Sequence, residues 1–146
     1  MEPIIDHIQI TVKDMTTAVP FYDKLLPLLG FDIRNRVTAA IEEHEFRVVE
    51  YTHPRLIFAI TSPRSAFAGD RINRRKPGAL HHLAFEEQSV VARRGIFWIL
   101  SGWTYDRRTY HIQFAMQSVD FGARFSFIKD LDGIKYEIVC TTQDRA

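Results

Sequence analysis

One pattern occurs twice along this chain, and that repetition restricts the fold more than any local signal does. His7 is followed by Phe21-Tyr22 and then Leu29-Gly30-Phe31; in the second half His82 is followed by Phe97-Trp98 and then Ser101-Gly102-Trp103. The intervals between corresponding residues differ by only a few positions. A repeat of this length is one supersecondary unit used twice, because a single copy exposes an apolar face that it must bury against something.

The first copy reads β, α, β, β, β. From Ile4 to Val12 the side chains alternate, with Ile8, Ile10 and Val12 on one side and Ile5, His7, Gln9 and Thr11 on the other, which predicts a strand with an apolar back and a polar front. Asp14 or Thr16 then caps a helix whose apolar residues Phe21, Leu25 and Leu28 recur at helical spacing and which stops near Leu29-Gly30. Pro20 is expected near its first turn, where the missing N–H costs least, and Pro27 in a distorted last turn. Strands are predicted from Ile33 to Thr38, Phe46 to Thr52 and Leu56 to Thr61, the last two joined by a turn at His53-Pro54-Arg55.

The second copy repeats the order. A strand from Ala79 to Phe85 leads to Ser89 as N-cap and to a helix through Val91, Ile96 and Leu100 that ends at Ser101-Gly102. Strands are then expected from Trp103 to Asp106, Tyr110 to Met116, Arg124 to Lys129 and Ile134 to Thr141, one of the middle two being irregular. The last two flank Asp130-Leu131-Asp132-Gly133, whose Asp-Gly is a tight-turn signal. The fold class is α+β: two βαβββ modules at about 1–62 and 79–146 in a single domain, joined by a basic, Pro- and Gly-containing connector at 63–78.

Composition narrows the function classes. The 19 basic and 18 acidic residues nearly cancel, so no global field favours nucleic acid or an anionic membrane, and small ligands are the expected partners. Cys140 is the single cysteine, which forbids an intrachain disulfide and suits a reducing, cytoplasmic location. Neither a basic, apolar leader nor a span long enough for a bilayer is evident.

Three polar side chains interrupt otherwise apolar strands. His7 lies with Gln9 and Thr11; His82 lies with Leu80 and Ala84, away from His81, Leu83 and Phe85; Glu137 lies with Lys135 and Val139, away from Ile134, Tyr136 and Ile138. Alone, a strand histidine is ordinarily a hydrogen-bonded structural residue, and a Glu beside a Lys is ordinarily a solvated pair. Together, two imidazoles and a carboxylate are the donor set of a facial triad for a divalent first-row metal with positions left open for substrate. His44 and His53 fall at turns and are expected to be exposed, Phe21, Phe97 and Trp98 to be core, and Cys140 to be a buried small hydrophobe.

The ordered set resembles the vicinal oxygen chelate superfamily of glyoxalases, bleomycin-resistance proteins and extradiol dioxygenases. Asp6-His7-Ile8-Gln9-Ile10-Thr11-Val12 with Asp14 looks like its opening strand. Gly78-Ala79-Leu80-His81-His82-Leu83-Ala84-Phe85 is similar to its His-x-Ala-Phe strand, and Phe127 to Glu137 to its closing turn and metal-binding Glu. The likeness covers nearly the whole chain. It implies cupped mixed sheets with helices on the outer face, a divalent ion (Fe, Mn, Ni or Zn) on His7, His82 and Glu137, a homodimer, and a small substrate chelated through adjacent oxygens.

Departures limit the transfer. Leu131 stands where proline is usual in the turn. Aligning the Pro54-Arg55 turn with Asp132-Gly133 puts Ala59 opposite Glu137, so the acidic fourth ligand of glyoxalase I members is missing unless Glu50, on the neighbouring strand, replaces it. Phe125-Ser126-Phe127 does not supply the His or Tyr of the extradiol dioxygenase signature. Lyase, isomerase and ring-cleaving dioxygenase chemistry all stay open. His111 and Tyr105 are candidate catalytic acids or bases, and Gln9 and Thr11 candidate substrate-binding residues. A non-catalytic bleomycin-resistance-type binding protein is the alternative.

Overall fold

A computed structural model describes residues 5–71, 73, 75–86, 115–118 and 123–141. The chain divides into two compact units, Met1–Arg71 and Ile72–Ala146.

In the first unit, β1 (His7–Thr11) leads into α1 (Met15–Leu28), followed by β2 (Asp32–Ile41), β3 (Phe46–His53) and β4 (Leu56–Thr61). The sheet runs β1-β4-β3-β2, with β1 parallel to β4 and the other pairs antiparallel. Strand alternation on β1 is as the sequence predicts: His7, Gln9 and Thr11 are exposed and Ile10 and Val12 are buried. The apolar side meets α1, where the Tyr22 ring lies 5.6 Å from Phe58 and the Tyr51 hydroxyl donates to Asp23 Oδ1 at 2.9 Å. Phe21, Tyr22, Leu25 and Leu26 are all buried on that side, each at a spacing of three or four from the next turn. Truncating Leu25 to alanine there removes about 2–5 kcal/mol.

Both helix ends follow from sequence. Asp14 is the N-cap, accepting from the Thr16 amide at 2.8 Å, and Thr16 is its partner, not the cap. At the other end Phe31 N donates to Leu26 O and Gly30 N to Pro27 O, the crossed pair of a Schellman motif, with Gly30 at φ 88. Because the helix starts at Met15, Pro20 sits beyond the first turn, contrary to the expectation from sequence; having no N–H, it cannot supply the i+4 hydrogen bond to the Thr16 carbonyl.

The strands also depart from the sequence limits. β2 continues through Ala39, Ala40 and Ile41 because each pairs with β3, although alanine carries little strand preference. His53 is the last residue of β3, half-buried rather than exposed: its ring lies 5.1 Å from Phe31, and its Nδ1 accepts from Arg55 N at 3.1 Å.

In the second unit β5 (His82–Glu86), β6 (Ala115–Ser118), β7 (Ala123–Lys129) and β8 (Lys135–Thr141) form a sheet in the order β5-β8-β7-β6, with β5 parallel to β8. Position for position this is the strand order of the first unit, the topological form of the sequence repeat. β5 starts at His82 and not Ala79, whose amide closes a turn on Lys76 O at 3.1 Å. β6 overlaps the predicted Tyr110 to Met116 strand at Ala115 and Met116 and runs on to Ser118; the earlier residues of that prediction lie outside the described residues. The buried Asp130 organises the β7–β8 turn: its Oδ1 accepts from Asp132 N and Ile134 N, and Gly133 takes φ 82. Tyr136, Ile138, Ile128 and Ile134 are buried, and Phe85 stacks on Tyr136. The predicted helix from Ser89 to Leu100 and the Trp103 to Asp106 strand lie outside the described residues. No helix among the described residues is long and apolar enough to cross a membrane.

Candidate metal-binding site

The parallel β5–β8 ladder decides which side chains meet in the second unit. His82 pairs with Lys135 and Ala84 with Glu137, so His82, Lys135 and Glu137 project from one face while Leu83, Tyr136 and Ile138 project from the other. His82 Nε2 lies 3.8 Å from Glu137 Oε1, with the two side chains 41% and 15% exposed. That separation is too long for a hydrogen bond, yet two metal–ligand bonds of about 2.0–2.2 Å span up to roughly 4.3 Å, so one ion fits against both atoms. Imidazole nitrogen and carboxylate oxygen are also the donor types that first-row divalent ions accept.

Glu137 is not idle meanwhile. Lys135 Nζ lies 2.8 Å from the same Oε1 and neutralises the carboxylate. The remaining lone pairs of that carboxylate are still available to a second partner. On the far side of the imidazole, His82 Nδ1 lies 2.7 Å from His81 Nδ1, with the rings T-shaped at 5.0 Å. Alternation was expected to send His81 to the opposite face; it precedes the first strand residue, so the pleat does not govern it.

His7 belongs to the first unit. Its side chain is 61% exposed and its Nδ1 lies 2.9 Å from Asp6 Oδ2. The β1–β4–β3 register puts Gln9 opposite Ala59 and Ala59 opposite Glu50, so Gln9, Ala59 and Glu50 form one row across the sheet on the face that carries His7. The repeat makes the comparison direct. His7 pairs with Ile57 as His82 pairs with Lys135, and two residues on stand Ala59 and Glu137. Ala59 is therefore the first-unit counterpart of Glu137, and the nearest carboxylate in its row is Glu50, half-buried on β3. Thr11 Oγ1 lies 3.3 Å from Thr61 Oγ1 on the same face.

Among the described residues no group of three or more His, Cys, Asp or Glu side chains is gathered for a metal. What the second unit brings together is the pair His82 and Glu137. Tyr105 and His111 lie outside the described residues. Sequence reasoning put Lys135 on the side of Glu137, where such a pair is ordinarily solvated; in the structure the two side chains are only 20% and 15% exposed.

No curated protein matches the sequence. Solved structures do resemble it in fold. A glyoxylase/bleomycin resistance protein/dioxygenase domain from Frankia sp. EAN1pec shares 18% identity at a TM-score of 0.74, covering 97% of this chain and 99% of that one. The fosfomycin resistance protein FosX from Listeria monocytogenes shares 15% at 0.67, covering 97% and 96%. A glyoxalase family protein from Enterococcus faecalis shares 19% at 0.65, covering 92% and 95%. The sequence model of the Glyoxalase/Bleomycin resistance protein/Dioxygenase superfamily matches residues 4–138. With nearly the whole chain matched and the same four-strand order visible in both sheets, this protein belongs to that superfamily.

Proposed function

We propose that this chain is a metal-dependent enzyme acting on a small substrate chelated through adjacent oxygens, with His7, His82 and Glu137 as the protein ligands of one divalent ion. The observation that carries the reading is the His82–Glu137 pair, an imidazole and a carboxylate 3.8 Å apart on one sheet face. His7 comes from the equivalent position of the repeat, in the same copy or a second one of a homodimer. When bound, the metal withdraws electron density from the oxygens it chelates and stabilises negative charge developing on them. Gln9 and Thr11, on the face of His7, orient the substrate through hydrogen bonds. Glu50, level with Gln9 and Ala59, accepts a proton from substrate, with His111 and Tyr105 as further acid or base candidates.

The reaction is an isomerisation, a lyase step or a ring-cleaving oxygenation. A FosX protein from Listeria monocytogenes has been solved complexed with Mn(II) and 1S,2S-dihydroxypropylphosphonic acid, a ligand with oxygens on adjacent carbons, which agrees in kind with the substrate class proposed here. One observation favours a metal-free binding protein of the bleomycin-resistance kind instead: Lys135 already neutralises Glu137.

One titration separates the two. Protein purified without a chelating tag and stripped of metal is titrated with Mn(II), Fe(II), Ni(II) and Zn(II). Stoichiometric binding that is lost in His82→Ala and in Glu137→Gln is the expected result. Absence of binding to the unmodified protein, or equal binding by both variants, overturns the enzyme reading. Assays with methylglyoxal plus glutathione, catechols under oxygen, and fosfomycin then sort the chemistry.

A further inference from the structure

Each of the two module histidines has its Nδ1 engaged by the residue immediately before it. His7 Nδ1 lies 2.9 Å from Asp6 Oδ2, and His82 Nδ1 lies 2.7 Å from His81 Nδ1. Neither neighbour belongs to the proposed ligand set. An Asp6 carboxylate accepts only, so His7 donates from Nδ1, which in a neutral ring leaves the lone pair on Nε2. In the His81–His82 contact one nitrogen carries the proton and the other accepts it. Which one decides whether His82 Nε2, the atom facing Glu137, holds a lone pair or a hydrogen. At 3.8 Å neither form hydrogen-bonds Oε1, so the 2.7 Å contact at Nδ1 is the short one that selects the tautomer, and a lone pair on Nε2 is what a metal takes.

We infer that His81 is a positioning residue that accepts a hydrogen bond from His82 Nδ1–H, fixing His82 in the tautomer that presents Nε2 beside Glu137, and that Asp6 does the same for His7. The inference rests on the ligand assignment proposed above and adds the groups that make those ligands ready. Metal-ligating histidines commonly donate their second N–H to such a partner, and its loss weakens metal binding by roughly 10–100-fold.

Long-range proton–nitrogen NMR on histidine-labelled, metal-free protein reads the tautomer, and a Mn(II) titration of the same samples reads affinity. His81→Phe keeps a ring for the T-shaped contact and removes the acceptor; His81→Asn restores an acceptor. The unmodified protein should hold His82 protonated on Nδ1. His81→Phe should shift it toward the Nε2–H form and weaken Mn(II) binding by roughly 10–100-fold, and His81→Asn should recover most of both. His82 protonated on Nε2 in the unmodified protein overturns the inference, as does His81→Phe leaving tautomer and affinity unchanged. The Nδ1–H form found without any Mn(II) binding supports the role of His81 and defeats the ligand assignment, so the two failures are told apart.

Discussion

Lys135 holds the Glu137 carboxylate at 2.8 Å, so a divalent ion approaching His82 and Glu137 meets a positive charge already in place. The side chains of the pair are only 20% and 15% exposed, and solvent screens such a repulsion weakly. Lys135→Met keeps the apolar stem and removes the charge, and it should tighten Mn(II) binding by roughly tenfold by isothermal titration. Weaker binding would mean that Lys135 positions the carboxylate instead of competing for it. At this scale the sequence was informative where alternation rules: His82 and Glu137 share a face because both lie inside regular strands. It failed for His81, one residue before its strand, and for His53, the last residue of β3, which the neighbouring Phe31 ring half-covers. His81 lies outside the pleat, and His53 shares the parity of buried Val49 and Tyr51 but falls where the sequence signals a turn.

The helix and its ends behave as separable devices. Hydrogen bonds from the Thr16 hydroxyl and amide hold the Asp14 carboxyl below its ordinary value. A depressed carboxyl stabilises the fold fully above its ordinary range, and this contribution is lost as pH falls through the lowered value in the folded state. Asp14→Asn caps without titrating, so its melting temperature should fall less steeply than the parent's below about pH 4; parallel acid limbs would contradict this. At the far end Gly30 occupies the left-handed region, and a Cβ there would stand 3.2 Å from His53 Nε2. Gly30→Ala should cost about 1–2 kcal/mol in chemical denaturation, and an unchanged midpoint would remove the Schellman turn from the account. Both ends were legible because capping chemistry is local. Pro20 was misplaced because the apolar period fixes a helix's face but not its first residue, and β2 was cut short because Ala39 and Ala40 are ordered by pairing with β3 and not by their own preference.

For the molecule as a whole, the repeated His, aromatic and Gly landmarks predicted the duplicated order, and the two sheets carry the same strand sequence, β1-β4-β3-β2 and β5-β8-β7-β6. The repeat also explains why the candidate site is lopsided. At corresponding places one module carries Ala59 and the other Glu137, so the proposed ligand set is two histidines and one carboxylate, with Glu50 one strand over. Such asymmetry is readable from sequence only after the turns are aligned, because it depends on register. The measurement that goes furthest is pulsed electron paramagnetic resonance on the Mn(II)-loaded protein, which detects ligand nitrogens directly. The account predicts nitrogen couplings from two imidazoles, reduced to one in His7→Ala and in His82→Ala. Bound Mn(II) with no nitrogen coupling, or couplings that neither substitution alters, would contradict it.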